Sequence, residues 1–182
     1  MSDNLLLTGR PGIGKTTAAE SIRDELTDRG WVLAGFVTRE IREEGSRVGF
    51  RLVTLEEEAS TLAHVDRPPP TISTYGVDLE ALEAVVRQTL DPELGADAYI
   101  VDEIGKMEVM SDTFIEATET LLEDDAPMIA TVGTSDRGFM GQVKDRDDVE
   151  IWTLDEQNRD DLPARAVEWL GDRAPEGRQT SP

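Results

Sequence analysis

Residues 5–17 read LLLTGRPGIGKTT: an apolar run, a turn rich in glycine, then a lysine and two threonines. Gly9, Gly14, Lys15 and Thr16 satisfy G-x-x-x-x-G-K-[ST], with a strand pattern before and a helix pattern after, as that motif requires. Glycines open backbone conformations that side chains block, so main-chain amides turn inward around phosphate oxygens, and the positive end of the following helix adds to their field. In that geometry Lys15 bridges the β- and γ-phosphates of a triphosphate and the Thr16 hydroxyl ligates Mg2+.

From this strand, loop and helix the same alternation runs on to Leu170, which predicts an α/β fold. The expected architecture is a P-loop NTPase domain over residues 1–171: a Rossmann-like, mainly parallel sheet with helices on both faces. Asn4–Thr8 reads as the first strand and Lys15–Arg29 as a helix whose Ala18, Ala19, Ile22 and Leu26 share a face, stopped by Gly30. Trp31–Thr38 reads as the second strand. Residues 38–55, TREIREEGSRVGFRLVTL, form two extended arms around EEGS, an antiparallel β-hairpin inserted into the alternation. Residues 56–76, with RPPP and little periodicity, read as a long surface loop.

Helices follow at Asp78–Leu90 and at Ser111–Leu122, the latter opened by a serine cap. Strands are expected at 98–103 (AYIVDE), 127–132 (PMIATV) and 148–154 (DVEIWTL), the last two joined by a glycine-containing loop, and a last helix at Leu162–Leu170. Residues 172–182 read as a disordered tail.

The chain has 182 residues and no cysteine, which excludes disulfides, thiolate metal sites and a cysteine nucleophile. No apolar run approaches the roughly 18 residues that span a bilayer, and no room precedes the first strand for a signal peptide, so a cytoplasmic protein is expected. With 39 acidic against 18 basic residues the net charge is −21, which repels nucleic acid and anionic membranes. A bound polyanion therefore needs a local positive site, and the phosphate loop supplies one. Dispersed acid with few lysines suits a halophilic protein; an acidic protein of ordinary salt is the alternative.

The second acidic signal is YIVDEIGKME, residues 99–108. Its apolar run delivers Asp102 to the C-terminal end of a buried strand, where open α/β sheets bind ligands. Asp102 fits the Walker-B role on Mg2+, and Glu103 is placed to orient or deprotonate the attacking water. For Lys106 two readings stand: it neutralises charge developing at the γ-phosphate, or it pairs with Glu108. Asp102-x-x-Gly105 matches the D-x-x-G of regulatory GTPases, but no N-K-x-D follows, so guanine specificity is unsupported. Arg39, Arg42 and Arg159 are candidates for stabilising transferred charge, and Asn158 for a base contact. Trp152 and Trp169 read as core, and His64 as a surface residue.

GRPGIGKTT, GFVTREIREEGSRVGF, YGVDLEAL, VDEIGKMEVMS and NRDDLP, in this order, resemble the THEP-type nucleoside-triphosphatases, whose vertebrate relative is called cancer-related nucleoside-triphosphatase. The resemblance covers the chain to about residue 170. It implies a Mg2+-dependent hydrolase that splits ATP, GTP and other nucleoside triphosphates to diphosphate and phosphate with low base specificity. Apart from the resemblance, a monomer is expected. The resemblance also implies nucleotide contacts from Gly9, Arg10, Pro11, Gly12, Ile13, Gly14, Lys15, Thr16 and Thr17, and from Ile100, Val101, Asp102, Glu103, Ile104, Gly105, Lys106 and Met107. EEEASTLAHVDRPPP (56–70) and VGTSDRGFMG (132–141) depart from the family pattern, so no role carries over to Arg137.

Two other functions use the same loop. A small-molecule or nucleotide kinase needs an acceptor pocket and usually an arginine-rich lid; the stretch 56–76 carries only Arg67, which disfavours it. A nucleotide-operated switch serving a partner would turn over little alone.

Overall fold

The computed structural model describes residues 3–173. Nine strands form one sheet in the order β5-β6-β4-β3-β2-β7-β8-β1-β9. The strands are β1 (Asn4–Thr8), β2 (Leu33–Glu43), β3 (Ser46–Thr54), β4 (Ala59–His64), β5 (Thr71–Ile72), β6 (Tyr75–Val77), β7 (Ala98–Ile104), β8 (Met128–Val132) and β9 (Val149–Thr153). Strands β2, β7, β8, β1 and β9 pair in parallel, whereas β3, β4, β6 and β5 extend the sheet antiparallel from β2. The helices are α1 (Lys15–Asp28), α2 (Leu79–Thr89), α3 (Asp112–Leu122), α4 (Gly138–Lys144) and α5 (Leu162–Gly171).

Alternation along β1 explains the two layers. Leu5 and Leu7 pack with Ile22 and Leu26 of α1 and Ala166 and Leu170 of α5 on one face. Leu6 points the other way, into the cluster holding Leu82 and Val85 of α2, Phe114 and Leu121 of α3 and Val143 of α4. Each fully buried leucine contributes about 1.5–3 kcal/mol, so the pattern of β1 strongly favours a sheet covered on both sides.

Local signals stop and start the helices as read. Gly30 ends α1 in the left-handed region (φ 83°), with its N–H on the Thr27 carbonyl and the Trp31 N–H on the Leu26 carbonyl, and Trp31 packs in the same cluster as Leu26. Asp78 accepts from the Ala81 N–H at 3.0 Å and Ser111 from the Phe114 N–H at 3.1 Å, each satisfying a first-turn donor.

The inserted hairpin is present, turning at Glu44 and Gly45 with Glu43 opposite Ser46. Its first arm is not separate from the second strand: β2 runs unbroken from Leu33 to Glu43, parallel to β7 over Leu33–Phe36 and antiparallel to β3 from Phe36 onward. The expected loop over 56–76 is corrected, because it holds β4, β5 and β6. Leu62 and Ala63 are fully buried, with Ala63 opposite Phe50 on one side and Val77 on the other. Strands of two and three residues leave no period to read, and the register shift at Phe50/Arg51 hides the pairing of β4.

His64 accordingly lies in β4, its ring nitrogen accepting from the Asp66 N–H at 3.2 Å. A second correction is α4, seven residues containing Gly138 and Gly141 that read as loop. Trp169 is buried as expected, but Trp152 is half-buried on β9, at the sheet edge; the rings meet edge to face at 6.4 Å and both donate to the Glu150 carboxylate. Of the expected tail, residues 174–182 lie outside the described residues; Asp172 and Arg173 form a turn after α5.

Candidate active site

The loop from Gly9 to Gly14 joins β1 to α1. Gly14, just ahead of the helix, has φ 111°, a conformation that side chains rarely adopt. It sends the chain into α1 so that the free amides of the first turn face a cavity of about 1060 Å3. Lys15 folds back across the loop, its Nζ donating to the Gly9 carbonyl at 2.8 Å.

Asp102 comes from the C-terminal part of β7 and is nearly fully buried. Its Oδ2 accepts from the Thr16 hydroxyl at 2.7 Å and from the Thr38 N–H at 3.1 Å, and its Oδ1 from the Thr131 hydroxyl at 2.5 Å. The Thr38 hydroxyl also donates to the Asp102 carbonyl at 2.6 Å. Four elements thus converge on one carboxylate: α1, β2, β7 and β8. Burial pushes the Asp102 carboxyl above its usual range, opposed by the donors from Thr131, Thr16 and Thr38.

Glu103 is half-buried, lines the cavity and makes no hydrogen bond or ion pair among the described residues. Burial pushes its carboxyl up, the Asp102 charge adds to this, and Lys15 opposes it. Glu108, in the 3-10 turn Glu108–Met110, is buried against Gly105 at the floor of the cavity. Burial first, and the Glu103 charge second, push it up to about 8, which favours the protonated form near neutral pH.

Lys106 is exposed on the cavity wall and forms no ion pair with Glu108. Of the two readings for Lys106, the pairing with Glu108 is not seen, because Glu108 is buried.

The cavity brings together Gly9, Pro11, Gly12, Gly14, Lys15, Thr16 and Thr17 from the loop and Asp102, Glu103, Gly105, Lys106 and Met107 from the acidic segment. It does not bring in Ile100, Val101 or Ile104, which are core residues, nor Arg10, which is exposed and paired with Glu156, nor Ile13, which packs beneath the loop. Arg39 lines the cavity but is bound by Glu20 at 2.7 Å and by Glu57 at 3.0 Å. Arg42 does not line the cavity; it pairs with Glu40, which does.

Arg159 reaches the loop from behind, donating to the Ile13 carbonyl at 3.4 Å. Asn158 uses both ends of its amide inside its own loop, donating to the Thr153 carbonyl and accepting from the Asp155 N–H.

Sequence reasoning missed Thr38 and Thr131. The signal for Thr131 was available: one hydroxyl inside the apolar run MIATV, where a buried donor needs a partner. Thr38 acts partly through its backbone, which no residue pattern reveals. Also unforeseen are Arg47 and Phe50 of β3, Leu62 of β4, Ile72 of β5, and Arg137 and Met140 near α4, all lining the cavity.

The donor set suits Mg2+, which keeps a near-octahedral oxygen shell and takes one or two protein ligands, the rest being water and phosphate oxygens. The Thr16 hydroxyl and the Asp102 carboxylate lie side by side at the cavity wall and provide such a pair.

A family model described as NTPase matches residues 4–167. The nucleoside-triphosphatase THEP1 of Thermotoga petrophila is 42% identical over 160 residues, 87% of either chain. That of Methanocaldococcus jannaschii is 37% identical over 87% of this chain and 91% of its own. The solution structure of a human cancer-related nucleoside triphosphatase matches with a TM-score of 0.79 and 29% identity over 93% of this chain and 97% of that one. The crystal structure of THEP1 from Aquifex aeolicus, at 24% identity and a TM-score of 0.81, shares the fold.

Proposed function

The chain belongs to the NTPase family, and from that premise we propose that it is a Mg2+-dependent nucleoside-triphosphatase, splitting ATP, GTP and other triphosphates to diphosphate and phosphate with low base specificity. One observation carries the reading: the unpartnered Glu103 carboxylate lines the same cavity as the phosphate loop, beside an Asp102 tied to the loop's own threonine. The loop amides and Lys15 hold the phosphates, and Lys15 exchanges the Gly9 carbonyl for phosphate oxygens. Thr16 and Asp102 would hold Mg2+, which would supply positive charge where negative charge builds up. Glu103, pushed above the ordinary carboxylate range by burial, accepts the proton of the attacking water.

Low base specificity is supported by Asn158, whose amide is already used at both ends. Lys106, at the cavity wall and without an ion pair among the described residues, is placed to neutralise charge developing at the γ-phosphate. Residues 1–171 are read as one domain. We further propose a cytoplasmic monomer, halophilic in its surface and without affinity for nucleic acid or membranes, on the strength of its net charge of −21. No described helix is long and apolar enough to cross a membrane.

The test is phosphate release from a panel of nucleoside triphosphates with Mg2+, at low and at molar KCl, for wild type and Lys15→Ala. The expected result is comparable rates across bases, loss of about 10²-fold or more in Lys15→Ala, and greater stability in KCl. A folded wild type that releases no phosphate from any triphosphate would overturn the reading.

A further inference from the structure

The cavity extends well beyond what a triphosphate and water require. Along the sheet from β1, which carries the phosphate loop, come β8, then β7 with Asp102 and Glu103, then β2, β3 and β4. A triphosphate lodged at the loop, with Thr16 and Asp102 beside its β- and γ-phosphates, directs its γ-phosphoryl group toward Glu103. With the γ-phosphoryl group toward β7, the α-phosphate and the nucleoside it carries lie at the opposite end of the triphosphate, toward β1 and β9. The space past Glu103 is therefore on the acceptor side of the γ-phosphorus.

That space has an apolar wall, with Glu40, Thr134 and Ser135 also on the cavity lining. The wall is Phe50, Leu62, Ile72, Met107 and Met140, of which Phe50, Ile72 and Met107 are only partly buried. Apolar surface facing water costs about 25 cal/mol per Å2, and a water nucleophile gives no reason to maintain it. The Phe50 ring is fixed in place, with Tyr75 edge-on at 5.3 Å and the Arg47 guanidinium 5.0 Å from its centroid. At the rim, Lys106 and Arg137 are exposed and make no ion pair among the described residues, in a chain with 39 acidic side chains. Unpaired cations at one cavity indicate an anion held there, and a phosphoryl group in transfer is one.

We propose that this lobe binds a second substrate, a small molecule with a ring-sized apolar body and a hydroxyl group, and that this hydroxyl accepts the γ-phosphoryl group in place of water. The proposal rests on the triphosphatase reading of the phosphate loop. The acceptor oxygen bonds to the γ-phosphorus as the bond to the β,γ-bridging oxygen breaks. The diphosphate leaves with that electron pair, and the hydroxyl proton passes to the Glu103 carboxylate and on to solvent. The products are nucleoside diphosphate and a phosphate monoester. The absence of an arginine-rich lid in residues 56–76 is no objection, since Arg47, Lys106 and Arg137 reach the cavity from other segments.

Benzyl alcohol, a ring bearing a primary hydroxyl, is the probe. In NMR with Mg2+ and a non-hydrolysable ATP analogue, its ring protons should show cross-relaxation to the Met107 and Met140 methyls, and Ile72→Trp should abolish it. With γ-labelled ATP the wild type should form benzyl phosphate, and Ile72→Trp should cut that product at least about tenfold while phosphate release to water changes less than about twofold. Phe50→Ala, on the same wall, serves if Ile72→Trp does not fold. Cross-relaxation from adenine protons instead, none from the alcohol, or a bound alcohol without benzyl phosphate above the enzyme-free blank each overturns the proposal. Phosphate release without alcohol binding sinks this inference alone, whereas no release from ATP in folded protein sinks the reading beneath it.

Discussion

Replacing Glu108 by glutamine should stabilise the protein at high pH and not at low pH. The native carboxyl titrates at about 8 against an ordinary 4.5, because it is buried and faces the Glu103 charge. Between those values the folded protein holds a proton that the unfolded chain has released, so stability falls as pH rises through the window. Below 4.5 both states are protonated and the residue costs nothing; above 8 the full cost is present. At about 1.4 kcal/mol per pH unit, the gap amounts to as much as about 5 kcal/mol. Glutamine has the same shape and no charge, so this cost disappears.

The assay is urea unfolding of wild type and Glu108→Gln across about pH 5 to 9, followed by tryptophan fluorescence and read as the difference between the two proteins. That difference should be small at the acid end and climb by several kcal/mol toward pH 9. A difference that stays flat would show that Glu108 is ionised at neutrality and that its burial is compensated in another way.

Three further outcomes are expected. Glu103→Gln should lower phosphate release by about 10²–10⁴ while Mg-nucleotide still binds in calorimetry; unchanged turnover would remove Glu103 from the reaction. Thr131→Val takes away the donor to Asp102 Oδ1 and should cost about 1–3 kcal/mol in chemical denaturation, and a stability equal to wild type would mean that this bond contributes nothing. Gly35→Ala would set a Cβ 1.8 Å from the Ile100 carbonyl oxygen, where β2 pairs with β7, so circular dichroism should find the variant unfolded; a native spectrum would refute that close approach.

The sequence by itself determined the phosphate loop, the acidic strand end and the α/β alternation, because each is written in contiguous residues. Gly9 to Thr16 form a nest through their own backbone, and YIVDE is a buried strand whichever neighbours it has. Helix ends at Gly30, Asp78 and Ser111 were equally local. The tertiary structure alone decided what lies across the sheet. It recruited β4, β6 and β5 from a stretch without period, because β4 pairs with β3, β6 with β4 and β5 with β6, and that pairing supplies the order that their own residues lack. It tied Asp102 to Thr38 and Thr131, each from another strand, and turned Glu108 inward away from Lys106. Burial depends on all the elements packed around a group, so neither the neutral acid nor the apolar lobe beyond Glu103 could be read one segment at a time.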